Sequence, residues 1–96
     1  MLTTTSLLAQ LKESYGNCSD YRVAKLLNTS TSTVSNWVNG KKKMGEANAR
    51  KVAQLLGCNE EYVVACIHAE CHEGEEIYSV WESICHTLQN SQHKAA

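Results

Sequence analysis

The 96-residue chain has the length of one compact domain, and its apolar content of 43% is enough to build a hydrophobic core. A charged fraction of 20% and a net charge of −1 exclude a highly charged disordered chain, and no run of 18 apolar residues predicts a transmembrane helix. The small net charge conceals two opposite halves, because residues 1–57 carry +5 and residues 58–96 carry −6. A basic half of this kind favours contact with nucleic-acid phosphates.

Apolar residues recur at helical spacing along the whole chain, and the lack of proline leaves no position closed to a helix. We therefore predict an all-α fold of five or six helices. Ser19 and Ser30 are typical residues before a helix, and Gly57 is typical of the position after one. Thr4 or Thr5 is expected to cap the first helix. The predicted helices cover residues 5–15, 20–28, 31–38, 46–56, 60–72 and 75–88.

These helices suggest a simple division of the chain. We assign residues 1–72 to one domain and residues 73–90 to a C-terminal helix that either packs on the core or forms a dimer interface. The polar residues 91–96 are expected to form a disordered tail. The first residues, MLTTTSLLAQ, lack the basic and long apolar regions of a signal peptide, so we expect a cytoplasmic protein with reduced cysteines.

The most specific pattern lies in residues 20–40. Ala24 is a small residue in the middle of the second predicted helix, which lets the third helix cross closely over it. Val34 and Trp37 are three residues apart and are expected to face the core. The remaining side chains of the third helix then form an outward polar face without the Lys and Glu that are usual on solvated helices. This face consists of Thr31, Ser32, Thr33, Ser35 and Asn36.

This segment resembles the helix-turn-helix of lambda-repressor-like and Cro-like proteins. The residues that carry the resemblance are Ala24, Leu27, Asn28-Thr29-Ser30, Val34, Trp37 and Asn39-Gly40. The usual glycine at the turn is Asn28 here, and asparagine also tolerates a positive φ. The likeness covers about residues 5–72, and residues 46–72 are also similar to small phage regulatory proteins. It implies a compact lambda-repressor-like DNA-binding domain.

The resemblance also implies how such a domain would contact double-stranded DNA. The second helix of the motif enters the major groove, and its first residues meet the base edges. By position in the motif, the residues expected to read the bases are Thr31, Ser32, Thr33, Ser35 and Asn36. Because this helix has no Arg or Gln, we expect the readout to rely on hydroxyls, water and DNA shape. Phosphate contacts are expected from Ser19, Tyr21, Asn39, Lys41, Lys42 and Lys43.

The C-terminal helices carry an apolar stripe that must be covered. It packs either on the chain's own core or against a second copy, since twofold pairing on a palindromic operator compensates for the few base contacts of a single motif. The expected homodimer interface consists of Tyr62, Val63, Ile67, Ile77, Trp81 and Ile84. We therefore expect a dimeric repressor of a phage or mobile element that acts by occupying its operator.

The sequence is also compatible with two other functions. The Glu-rich C-terminal half is compatible with an antitoxin-like module, or with a surface that receives a basic antirepressor or toxin. Cys66, His68, Cys71 and His72 are compatible with a metal- or redox-responsive regulator, although no CxxC pair is present. The odd number of cysteines argues against a disulfide framework. No catalytic spacing stands out, so we expect no enzymatic activity, no metal and no cofactor.

Overall fold

The computed structural model describes residues 2–95, with side chains described through Gln89. All regular structure in this part of the chain is helical, which confirms the predicted all-α fold of five or six helices. None of the described helices combines the length and apolarity needed to cross a bilayer. The helices are α1 (Thr4–Ser14), α2 (Asp20–Leu27), α3 (Thr31–Val38), α4 (Glu46–Leu56), α5 (Glu60–Cys71) and α6 (Tyr78–Ala95).

Local capping chemistry fixes the ends of the middle helices. The side chains of Ser19, Ser30 and Asn59 each accept a hydrogen bond from the backbone N–H three residues further on. α2 and α4 end at Asn28 (φ 54°) and Gly57 (φ 71°), which adopt the left-handed conformation that closes a helix. The bounds of α2 to α5 therefore lie within one residue of those predicted.

The bounds of α1 also lie within one residue of those predicted, but its cap and the last helix differ from the prediction. The predicted cap of α1 is wrong: Thr3 caps the helix by accepting from the Ser6 N–H at 3.2 Å, and Thr4 is buried. α6 begins at Tyr78 because the preceding residues form turns after Gly74, whose φ is +87°. It continues through residues 91–95, where a tail was expected, since neither glycine nor proline interrupts the segment. Residue 96 lies outside the described residues.

The core has two parts, and α5 contributes to both. The larger cluster contains residues of every helix from α1 through α5, and a smaller one lies between α5 and α6. Val63 and Ile67 belong to the first and Tyr62 to the second, with 7% or less of each residue exposed. A helix that packs on opposite sides is apolar nearly all round. These three residues therefore stabilise the chain's own core and are not exposed to a partner, contrary to the interface expected from the sequence.

Candidate nucleic-acid interface

The turn between α2 and α3 is held from both sides. Asn28 adopts the left-handed conformation, and the Thr29 N–H donates to the Ala24 carbonyl at 2.9 Å. Lys51 of α4 donates its Nζ to the Leu27 carbonyl at 3.1 Å, which places a cation at the C-terminal end of α2. Ala24 itself is 3% exposed, in keeping with a close approach of α3. The angle between the two helices is therefore set by packing and by backbone hydrogen bonds.

α3 is anchored on one side and polar on the other. Val34 and Trp37 are 0% and 3% exposed and belong to the main core. Thr31 and Ser32 are exposed, and the remaining three predicted base-reading residues are half-buried. Because a helix repeats every 3.6 residues, Ser32 and Asn36 share the face that points away from Val34. The structure thus places a polar surface on the outside of a rigidly held helix.

Two of the predicted base-reading hydroxyls already have partners within the chain. The Thr33 hydroxyl lies 2.8 Å from the Ser30 hydroxyl, which also accepts from the Thr33 N–H. The Ser35 hydroxyl accepts a hydrogen bond from Asn39 Nδ2 at 3.3 Å. A residue predicted to read bases is therefore bonded to a residue predicted to contact phosphate. Capping and local pairing therefore reduce the freedom of Thr33 and Ser35 to reorient toward a base.

α2 carries an exposed aromatic ring and two exposed cations. Tyr21 is 59% exposed, and Lys25 Nζ lies 5.0 Å from the centre of its ring. Arg22 is also exposed. The preceding carboxylate, Asp20, is paired with Lys12 of α1, which offsets its repulsion of a phosphate. Arg22 and Lys25 are not among the residues predicted from the sequence to contact phosphate, although both occupy outward positions of the helix before the predicted recognition helix.

The segment after α3, residues 41–45, is called the lysine loop below. Its first two backbone N–H groups, from Lys41 and Lys42, donate to the Asn36 carbonyl at 2.9 and 3.3 Å. All three lysines are exposed. Lys43, however, donates its Nζ to the Glu70 carbonyl at the end of α5, at 3.0 Å. The structure therefore engages Lys43 inside the chain and leaves Lys41 and Lys42 as the more available cations of the loop.

The apolar stripe of α6 is covered on only one side. Tyr78, Trp81 and Leu88 pack toward α5 around the buried Cys85, and Trp81 stacks on His68 with ring centres 4.7 Å apart. The other side of the stripe is exposed, with 44%, 51% and 38% of the residue accessible at its three positions. We call this surface the α6 apolar face; it consists of Val80 and Ile84 on α6 and of Ile77, the residue just before the helix.

The residues considered for metal or redox sensing do not converge. Cys66 is buried, Cys71 is exposed, and His72 Nδ1 lies 3.1 Å from Glu75 Oε2. In the described part of the chain, no group of three potential metal ligands lies together. Burial raises the pKa of the Cys85 thiol to about 12, which keeps it in the unreactive protonated form at neutral pH. Burial, with a contribution from Cys66, also raises the pKa of Tyr62 to about 12.

Comparison with known proteins agrees with this geometry. A family model described as helix-turn-helix matches residues 16–63, which is half of the chain and spans α2, α3 and α4. Searches of curated proteins and of solved structures found no match. The matched segment includes the capped turn, the buried Val34 and Trp37 and the outward polar face of α3. The chain belongs to the helix-turn-helix family of DNA-binding transcription regulators.

Proposed function

We propose that this protein is a dimeric repressor that binds a palindromic operator through α3 and thereby blocks a promoter, as phage and mobile-element repressors do. The observation that carries the proposal is the outward face of α3, where hydroxyl and amide groups lie on a helix held by the buried Val34 and Trp37. A helix held in this way can place side chains at base edges with little loss of conformational freedom. Such a repressor would act in the cytoplasm, where its operator lies.

Base readout is assigned first to the N-terminal end and outer face of α3. Ser32 and Thr31 are the exposed hydroxyls nearest to the helix start, and each can donate to or accept from several base edges. Asn36, one turn after Ser32, has the amide that pairs with an adenine edge in two hydrogen bonds. Thr33 and Ser35 are assigned a secondary role, since their hydroxyls have partners within the chain.

Phosphate contacts are assigned to both flanks of α3. On one side lie Ser19 and Tyr21 at the start of α2, joined here by the exposed Arg22 and Lys25. Backbone N–H groups at a helix start and basic side chains both favour phosphate oxygens. On the other side lies the lysine loop, preceded by Asn39. Lys41 and Lys42 are the main contributors, whereas Lys43 is held by the Glu70 carbonyl.

The α6 apolar face is assigned to the homodimer. Ile77, Val80 and Ile84 are exposed at helical spacing, while Trp81 is stacked against the chain's own His68. Ser83 and Thr87, which border this face along α6, are uncharged, so two copies can approach without charge repulsion at that edge. Pairing across this face would double the number of base contacts and match the twofold symmetry of a palindromic operator.

Removal of the two available loop cations tests the DNA contact. The change Lys41→Gln with Lys42→Gln is expected to weaken binding to duplex DNA and to reduce the slope of log K against log salt by about 1.8, since each phosphate contact contributes about 0.9. The measurement is fluorescence anisotropy over a series of salt concentrations. Arg50→Gln is the control, because Arg50 is an exposed cation that pairs with Glu60 on another surface. An unchanged slope in the double variant would contradict the contact.

A further inference from the structure

A buried threonine connects the start of α1 to the last turn of α5. Thr4 lies in the first turn of α1 and is only 2% exposed. Its hydroxyl donates to Glu70 Oε1 at 2.6 Å, and its backbone N–H donates to the same oxygen at 3.0 Å. Glu70 belongs to the last turn of α5, 66 residues away in sequence. A carboxylate that accepts two hydrogen bonds at a helix N-terminus is held firmly in place.

The same pair holds the lysine loop. The Met44 N–H donates to the Thr4 hydroxyl oxygen at 3.1 Å, and the Met44 side chain is fully buried. Lys43 Nζ donates to the backbone carbonyl of Glu70 at 3.0 Å. At the other end of the loop, the backbone N–H groups of Lys41 and Lys42 donate to the Asn36 carbonyl of α3. The backbone of the lysine loop is therefore attached both to α3 and to the junction of α1 with α5.

We propose that Thr4 and Glu70 are positioning residues that hold the lysine loop in the conformation in which Lys41 and Lys42 reach DNA phosphates. This inference rests on the phosphate contact proposed above. A loop that is ordered before binding loses less conformational entropy when the complex forms. An acidic residue of the C-terminal half, which would repel DNA if it lay at the interface, thus supports DNA binding through its hydrogen bonds to Thr4.

The test compares two substitutions of Thr4 in two backgrounds. Thr4→Val keeps the shape of the side chain but removes the hydroxyl, and Thr4→Ser keeps the hydroxyl. In the otherwise wild-type chain, Thr4→Val is expected to weaken duplex binding about 5- to 30-fold, the factor that corresponds to ordering about one residue. Thr4→Ser is expected to stay close to wild type. In the Lys41→Gln/Lys42→Gln background, Thr4→Val is expected to change affinity by less than about twofold, as for residues that act through a shared partner.

The outcomes separate this inference from the proposed function. An equal loss of affinity from Thr4→Val in both backgrounds would overturn the positioning role, because Thr4 would then act on the fold and not through the lysines. If the two lysine substitutions alone left binding unchanged, the phosphate contact itself would be overturned, and the positioning role with it.

A measurement on the wild-type chain covers the case in which Thr4→Val does not fold. Native-state amide hydrogen exchange followed by NMR reports the Met44 N–H directly. We expect protection comparable to that of core helical amides, since this group is buried and bonded to the Thr4 hydroxyl. Exchange of the Met44 N–H at the rate of an unprotected loop amide would overturn the inference.

Discussion

Replacement of Trp37 by alanine is expected to lower the free energy of unfolding by about 3–5 kcal/mol, the cost typical of removing a buried aromatic side chain. Trp37 is 3% exposed and packs α3 against the main core. Since domains of this size are stable by only about 5–15 kcal/mol, much of the total would be lost. The measurement is the urea denaturation curve followed by circular dichroism.

Val38→Ala is the matched control for this prediction. Val38 is the next residue of α3, but it is 40% exposed, so its truncation is expected to change stability by no more than about 0.5 kcal/mol. The comparison separates a role of α3 in the core from a general sensitivity of this helix to truncation. Equal, small effects of the two substitutions would show that Trp37 does not hold α3 in place.

The second large effect is expected from Ile84→Glu. Ile84 lies in the α6 apolar face and is 38% exposed, so a glutamate can remain solvated in the single chain. In a dimer it would bury a charge at the interface, which is costly without a partner. We expect the variant to be monomeric by sedimentation velocity and to bind a palindromic operator about 10²–10⁴-fold more weakly, the usual gain from linking two binding units.

Gln89→Glu is the control for the dimer prediction. Gln89 is exposed on the same helix, and the helical repeat places it on the side away from Val80 and Ile84, so the added charge should leave the association state unchanged. Circular dichroism of both variants checks that α6 is still folded. A dimeric Ile84→Glu chain with wild-type affinity would place the interface elsewhere.

The sequence predicts what is determined locally. The bounds of α2 and α3 follow from Ser19, Ser30 and Asn28, because caps act on backbone groups only a few residues away. The burial of Val34 and Trp37 follows from their spacing on one face of a helix. These features carry the recognition of the motif, which is why the family and the all-α fold could be predicted.

Contacts between distant segments could not be predicted in the same way. Periodicity shows that Tyr62, Val63 and Ile67 are apolar positions, but not that α5 is covered on two sides by the chain itself. The bond between Thr4 and Glu70 joins residues 66 positions apart and leaves no local signal. Nor does the sequence show that the Lys43 side chain donates to the Glu70 carbonyl at the end of α5.

Selection from a library of random duplex DNA tests the central claim, that the outer face of α3 reads sequence. We predict that the wild-type chain, and Ser83→Ala as a control, enrich a palindrome whose half-sites are about 10–10.5 base pairs apart or a multiple of that spacing. The Ser32→Ala/Asn36→Ala variant is predicted to keep its salt-dependent binding and lose the preference, since each lost base contact costs about 1–3 kcal/mol of discrimination. Enrichment of the same palindrome by that variant would contradict the assignment of α3 as the recognition helix.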